Sequence, residues 1–269
     1  MAGGTSLMSA NSLPLFYRNP RPLRSSSDAE LSLSRAAGYA FARGATSVPL
    51  VAADFKQACK HYPIVFTQDD TAWPLALIGL RPDRNLFVDG RGDWEHGAYI
   101  PAYVRRYPFI FLELESAAPP SGPEERAAEP GARELTLGID AAAESIVPGR
   151  DNPFFEDGQP TQITKNGLAF CAEYKAQYDA TAAFSKAVDE ADLLIDNRAG
   201  RRPDAGDQVA VTGFRTIDET RFSLLPNAEF LHWRERGWLQ LAYCHFVSIR
   251  NIERLFAKLR ARESLPAFG

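Results

Sequence analysis

Apolar residues along this chain recur at two periods, and one phrase contains both. From Tyr99 to Glu115, YIPAYVRRYPFIFLELE, the positions Ile100, Tyr103, Val104 and Tyr107 are spaced i, i+3, i+4, i+7, which is one face of a helix. After Pro108 the residues turn almost uniformly apolar and β-prone. The phrase also occurs as DFKQACKHYPIVF, where Phe55, Ala58, Cys59 and Tyr62 hold the equivalent positions. Proline disfavours the α conformation in the residue before it, so Tyr62 should turn extended and Pro63 should open a strand. Helix, Tyr-Pro, strand, loop, strand thus occurs twice at about 45 residues per copy, which points to a duplication and not to a solenoid array.

The remaining pattern extends this half and then changes. Tyr39 and Phe41 alternate with small residues, a strand signal, and Ser47 to Leu50 lead into the first helix. Trp73 to Leu80 and Leu86 to Val88 read as strands joined by short turns, an antiparallel meander. Phe109 to Leu114 should pair with Arg133 to Ile139. Between them lies SAAPPSGPEERAAEPGAR, which reads as a mobile insertion over 116–133. Beyond the loop sequence from Ile146 to Gly158, a long helix is predicted over Thr164 to Ala191, burying Cys171, Tyr174, Tyr178, Thr181, Phe184 and Val188. A turn over Asn197 to Gly206, a strand over Gln208 to Phe214 and a helix over Pro226 to Arg236 should follow. One last helix is predicted over Leu239 to Arg262, with Ala242, Phe246, Ile249, Ile252, Phe256 and Leu259 inward. Residues 1–30 read as a flexible tail. Residues 31–269 read as a single α+β domain, a mainly antiparallel sheet covered by the long helices of the second half.

Composition alters this picture little. At 269 residues, 45% hydrophobic and 24% charged with net charge −4, the chain is not basic enough to suggest nucleic acid. No stretch approaches 18 uncharged apolar residues, and the N-terminal residues lack the layout of a secretory signal, so a cytoplasmic location is expected. Cys59, Cys171 and Cys244 show no CxxC spacing and sit in apolar helical contexts, which suggests buried free thiols in a reducing compartment.

The search for chemistry is mostly negative. His61, His96, His232 and His245 lack metal-ligand spacing, and no P-loop, GxSxG or GxGxxG occurs, so neither a metal nor a cofactor is expected. Asp151, Glu156 and Asp157 lack calcium-loop spacing. The tripeptide Arg91-Gly92-Asp93 is read as chance. The cations Arg250, Arg254, Lys258, Arg260 and Arg262 read as the solvated side of a packed helix. More informative are Arg105 and Arg106, which flank the apolar face made by Tyr103, Val104 and Tyr107. They can present guanidinium forks to an anion. Alternatively they lie over the sheet edge or pair with Glu113 or Glu115. The candidate binding residues are therefore Arg105, Arg106, Tyr103 and Tyr107, with no catalytic residue assigned.

Several blocks resemble the bacterial SapC family. They are Tyr39 to Ala42, Ser47 to Leu50, Tyr62 to Phe66, Asn85 to Asp89 and Tyr99 to Phe109, then Phe155 to Gly158, Leu193-Leu194, Val211 to Phe214 and Ser248 to Asn251. The similarity spans residues 37–255. The resemblance implies a link to a bacterial surface layer, or to TonB-dependent receptors and the flavin-dependent halogenase-like proteins encoded beside them. It brings no catalytic residues. The expectation is a non-enzymatic accessory or binding protein acting on a protein or peptide. The alternatives are an enzyme or enzyme subunit that holds an anionic or peptide substrate through Arg105 and Arg106, and a structural surface-layer protein.

Overall fold

A computed structural model describes residues 13–34, 36, 38–115, 133–200 and 210–264. The insertion expected at 116–133 falls almost wholly outside the described residues. The chain forms two units, each made of two separate segments: Met1–Ala37 with Arg106–Glu173, and Gly38–Arg105 with Tyr174–Gly269.

In the first unit, β1 (Pro20–Pro22), β6 (Phe109–Glu115) and β7 (Arg133–Asp140) make an antiparallel sheet in the order β1-β7-β6. Its β6–β7 register runs from Phe109 opposite Ile139 to Glu115 opposite Arg133, the pairing that the apolar runs predict. A second pair joins β2 (Leu31–Leu33) to β8 (Ile146–Pro148), and β9 (Phe155–Glu156) folds back on β10 (Gln159–Pro160). Phe109, Leu137, Ile139, Phe154 and Cys171 form the core. Phe109 meets Phe154 edge-on at 6.0 Å. It also lies against Gly167, where an added Cβ would stand 2.9 Å from the ring.

Residues 13–30, expected as a tail, belong to this unit. The prolines of β1 suit an edge strand, because its outer side needs no N–H. Tyr17 is buried and its hydroxyl donates to the Phe109 carbonyl at 2.5 Å. The short α1 (Ser25–Asp28) places Asp28 in a two-pronged pair with Arg21, at 2.9 and 2.6 Å.

The second unit holds an antiparallel sheet in the order β11 (Leu194–Gly200), β12 (Ala210–Ile217), β4 (Ile64–Phe66), β5 (Pro74–Leu77), β3 (Ser47–Pro49). All three residues of β4 are fully buried, as a central strand requires. Around it stand α2 (Phe55–Ala58), α3 (Ala102–Arg106), α5 (Glu219–Ser223), α6 (Asn227–Glu235), α7 (Trp238–Ser248) and α8 (Asn251–Glu263). The long α4 (Gln162–Glu190) runs from the first unit into the second. In the second unit it buries Tyr174, Thr181, Phe184 and Val188. The two Tyr-Pro phrases enter different sheets, β4 as the middle strand of five and β6 as an edge strand of three. The architecture therefore does not establish a duplication.

Four local readings change. Leu86 to Val88, read as a strand, makes a single isolated bridge, Val88 with Trp94. Ala40–Ala42 is a 3-10 turn and not a strand, held by the Tyr39 N–H on the Gly92 carbonyl at 2.7 Å and by Asn85 Nδ2 on the Ala42 carbonyl at 3.0 Å. The turn expected from Asn197 begins later, because β11 runs on to Gly200 paired with β12; its polar residues hid an edge strand. The last helix is two, broken at Ile249 and Arg250. At the break the Ser248 hydroxyl donates to the His245 carbonyl at 2.6 Å, while Asn251 Nδ2 reaches the Cys59 carbonyl at 2.8 Å. The Ser248 hydroxyl thus competes for a carbonyl of the last turn of α7, while Asn251 anchors the start of α8 to the end of α2.

The contact between β4 and β12 is unusual. They share one register pair, Arg215 opposite Phe66. Two residues on, where Ile217 would face Ile64, the side chains of α7 intervene. His245 Nε2 accepts from the Ile217 N–H at 3.1 Å, and Nδ1 lies 2.8 Å from the Ile64 carbonyl. Ser248 Oγ accepts from the Ile64 N–H at 2.9 Å. A carbonyl only accepts and an amide only donates, so His245 is neutral with its proton on Nδ1. Burial holds its pKa down to about 4.

Candidate functional site

Asp54 is the residue on which the phrase around Arg105 is built. It sits at the last position of a 3-10 turn (Ala52–Asp54) and its side chain is 1% exposed. Oδ2 accepts from the Val51 N–H at 3.0 Å. Oδ1 accepts from the Ala102 N–H at 3.1 Å and from the Tyr99 hydroxyl at 2.5 Å. This one carboxylate therefore ties the start of α2 to the start of α3. Burial raises the Asp54 pKa, although all three donors oppose the rise.

Arg105 stands above this array and is exposed. Its Nε donates to the Ile100 carbonyl at 2.9 Å and its Nη2 to the Tyr99 hydroxyl at 3.2 Å. The guanidinium lies 5.7 Å from the centre of the Tyr99 ring, within cation–π range. Burial and the Asp54 carboxylate push the Tyr99 hydroxyl up to about 12, so it remains protonated and a donor. Beneath, Tyr62 donates to the Tyr99 carbonyl and receives Trp94 Nε1 at 3.0 Å. Tyr103 is buried, with its ring edge-on to Tyr174 at 6.3 Å.

Arg106 and Tyr107 make their described contacts within the first unit. Arg106 lies over the Tyr17 ring at 5.6 Å. The Tyr107 hydroxyl donates to Asp140 Oδ2 at 2.9 Å. Asp140, fully buried, also accepts the Arg18, Asn19 and Ala142 N–H groups at 3.2, 2.7 and 3.2 Å. The four residues singled out in the sequence thus divide: Arg105 stands over Tyr99 and Asp54 and Tyr103 packs on Tyr174, whereas Arg106 lies over Tyr17 and Tyr107 bonds Asp140. Periodicity could not show this, because neither aspartate lies on the helix itself.

A model of the SapC family matches residues 23–255, most of the chain. The chain belongs to the SapC family. No curated protein and no solved structure is found to match. Many of the residues that carry the SapC likeness hold the fold from within. Asn85 is buried between the Ala42 carbonyl and the Phe87 N–H, and Asn251 bonds the Cys59 and Tyr62 carbonyls. The Arg91-Gly92-Asp93 tripeptide also has a structural place. Asp89 caps the Arg91 and Asp93 N–H groups at 2.8 and 2.9 Å, and Gly92 adopts a φ of +92°.

Among the described residues there is no cluster of three or more His, Cys, Asp or Glu that could hold a metal, and no helix long and apolar enough to cross a membrane. Three of the α8 cations are engaged. Arg254 and Lys258 meet Glu95, and Arg262 donates to the Asn85 and Val88 carbonyls at 2.9 and 3.0 Å. The sequence reading missed an apolar surface on the α5–α7 segment. Leu224, Tyr243 and Val247 are 75%, 52% and 63% exposed. Of these, Tyr243 meets the buried Phe222, whose ring lies 5.8 Å from that of Tyr243 and 5.3 Å from that of Phe246. Tyr243 and Val247 lie four residues apart, off the stripe assigned to the core. That spacing was the available signal.

Proposed function

We propose that this SapC-family chain is a non-enzymatic accessory protein that binds a protein or peptide partner, with Arg105 meeting an acidic group of that partner. The supporting observation is the exposed Arg105 guanidinium, held in one orientation by Ile100, Tyr99 and, through Tyr99, the buried Asp54. A pre-oriented arginine loses less freedom on binding, and arginine is enriched at the residues that carry binding energy. The exposed Leu224, Tyr243 and Val247 are apolar surface of the kind that marks protein interaction sites. The partner class, a surface-layer protein or a TonB-dependent receptor, rests on the family resemblance alone. The structural surface-layer reading rests on that name as well.

The enzyme reading has one observation in its favour, the raised pKa of Asp54 beside Tyr99 and Arg105. Against it, both Asp54 oxygens already accept hydrogen bonds from three internal donors, and the side chain is shielded from solvent. Asp54 is better suited to positioning Arg105 than to exchanging protons with a substrate.

The test is affinity capture from native extract, with the wild type, Arg105→Ala, Arg105→Lys and Arg106→Ala compared at matched thermal stability. A partner identified by mass spectrometry should be lost with Arg105→Ala and only weakened with Arg105→Lys, which keeps the charge but not the fork. Equal recovery by all four proteins would refute the role of Arg105. Partner conversion that survives purification of both proteins would establish the enzyme reading in its place.

A further inference from the structure

A cleft of about 740 Å³ opens between the end of α4 and α6, within the ~300–1,000 Å³ usual for small-molecule sites. Its origin lies in the packing beneath it. Phe184 of α4 and Trp233 of α6 are fully buried, and their rings meet edge-on at 6.0 Å, which sets the spacing of the two helices. Beside that contact the walls are Ala183, Ala187 and Ala191 on one side and Ala228 on the other. Methyl groups cannot close a gap that two aromatic rings hold open. Trp238 completes the apolar lining, and its indole is fixed by Arg236 over the ring at 5.2 Å and by His232 and Trp233 edge-on at 5.5 and 5.8 Å.

Four polar side chains line the same cleft: Lys186, Glu190, Glu229 and His232. Lys186 pairs with Glu190 at 3.6 Å, so those charges offset. Glu229 Oε1 accepts from Trp233 Nε1 at 2.9 Å, and a neutral indole leaves the carboxylate charge uncompensated. The last turn of α4, where free carbonyls concentrate negative charge, holds no basic residue. The first turn of α6 would favour an anion, but it carries Glu229 itself. An apolar slot with a negative edge results.

We propose that this cleft binds a small aromatic amine, with its ring between the alanine walls and its ammonium at Glu229. Alanine on both sides suits a flat body, and the single uncompensated carboxylate suits a single cation. An aromatic acid of the same shape would bring its own carboxylate against Glu229 and Glu190. The cleft shares no residue with the Arg105 site, so either reading can fail alone.

The full chain, isotopically labelled at its alanine methyl groups, is titrated by NMR with tryptamine and, separately, with indole-3-acetate. The methyl signals of Ala183, Ala187, Ala191 and Ala228, assigned through alanine-to-serine variants, should shift together and saturate with tryptamine. Indole-3-acetate should bind about tenfold more weakly, because its charge opposes Glu229. Glu229→Gln should weaken tryptamine about threefold, the worth of one solvent-accessible ion pair, and should not weaken indole-3-acetate. Ala187→Leu and Ala228→Leu fill the cleft from opposite walls, and each should abolish the saturable shifts at an unchanged thermal midpoint. Ala182→Leu, on the exposed side of α4, should bind as the wild type. Equal affinity for the two compounds, saturable binding that survives both filling variants, or no saturable shift at the cleft methyls overturns the proposal.

Discussion

Lowering the pH should weaken this protein through His245. The imidazole replaces the backbone bond that Ile217 and Ile64 would otherwise share, and it can do so only when neutral, with Nε2 accepting and Nδ1 donating. Its folded pKa is held at about 4, against an ordinary 6.5. The unfolded chain therefore binds a proton across the window between these values, and the folded chain does not. Stability rises with pH through that window and falls on acidification. With these two values the loss is about 2 kcal/mol between pH 7.5 and 5.0, and about 3 kcal/mol by pH 4. That is a large part of the 5–15 kcal/mol typical of a folded protein. Burial also lowers the His61 pKa, which acts in the same direction, whereas the raised Asp54 pKa acts in the opposite one. A variant isolates the His245 share. Glutamine at 245 offers an amide donor and a carbonyl acceptor but does not titrate, so His61 and Asp54 cancel in the comparison. Urea denaturation at pH 7.5 and 5.0 should show the wild type losing about 2 kcal/mol more than His245→Gln between the two conditions. Parallel losses would show that His245 is not held neutral between the strands, and the reasoning would fail.

Two further outcomes follow from close contacts. Gly167→Ala gains about 1 kcal/mol of helix propensity but puts a Cβ 2.9 Å from the Phe109 ring, an overpacking that costs about 1–3 kcal/mol. The net effect in urea titration should be destabilising, and a stabilised variant would show that the ring moves freely. Tyr99→Phe removes one hydrogen bond to Asp54 and one from Arg105, at a cost of about 1–2 kcal/mol. It should lower the thermal midpoint, and an unchanged midpoint would mean that the hydroxyl does not tie the site together.

Much of the architecture was legible because it rests on local pattern. The β6–β7 pairing was expected from the two β-prone segments, and α4 begins and ends within two residues of its predicted span. The features that escaped are those in which a polar side chain replaces a backbone partner. Ser248 and Asn251 bond other groups at the break in the last helix, although the apolar stripe continues across it. His245 offered no motif, since its role depends on strands far away in sequence. At the candidate site the helix face was legible, but the sorting of Arg105 and Arg106 was not. It is decided by partners far from the helix in sequence, Asp54 acting through Tyr99 for Arg105 and the Tyr17 ring for Arg106.

The α7 wedge also bears on the order in which the molecule can be built. Ile64 has its N–H satisfied by Ser248 and its carbonyl by His245, so the central strand of the five-stranded sheet stays incomplete until α7 has docked. During synthesis β4 leaves the ribosome long before either residue exists. The β11–β12 hairpin, although made earlier than α7, meets β4 at a single register pair. A nascent chain that has not reached Ser248 thus carries an apolar strand with unpaired backbone groups, the kind of edge that recruits other chains. Stalled or truncated products of this protein should aggregate through Ile64, Val65 and Phe66, and a chaperone acting during translation would find its substrate there.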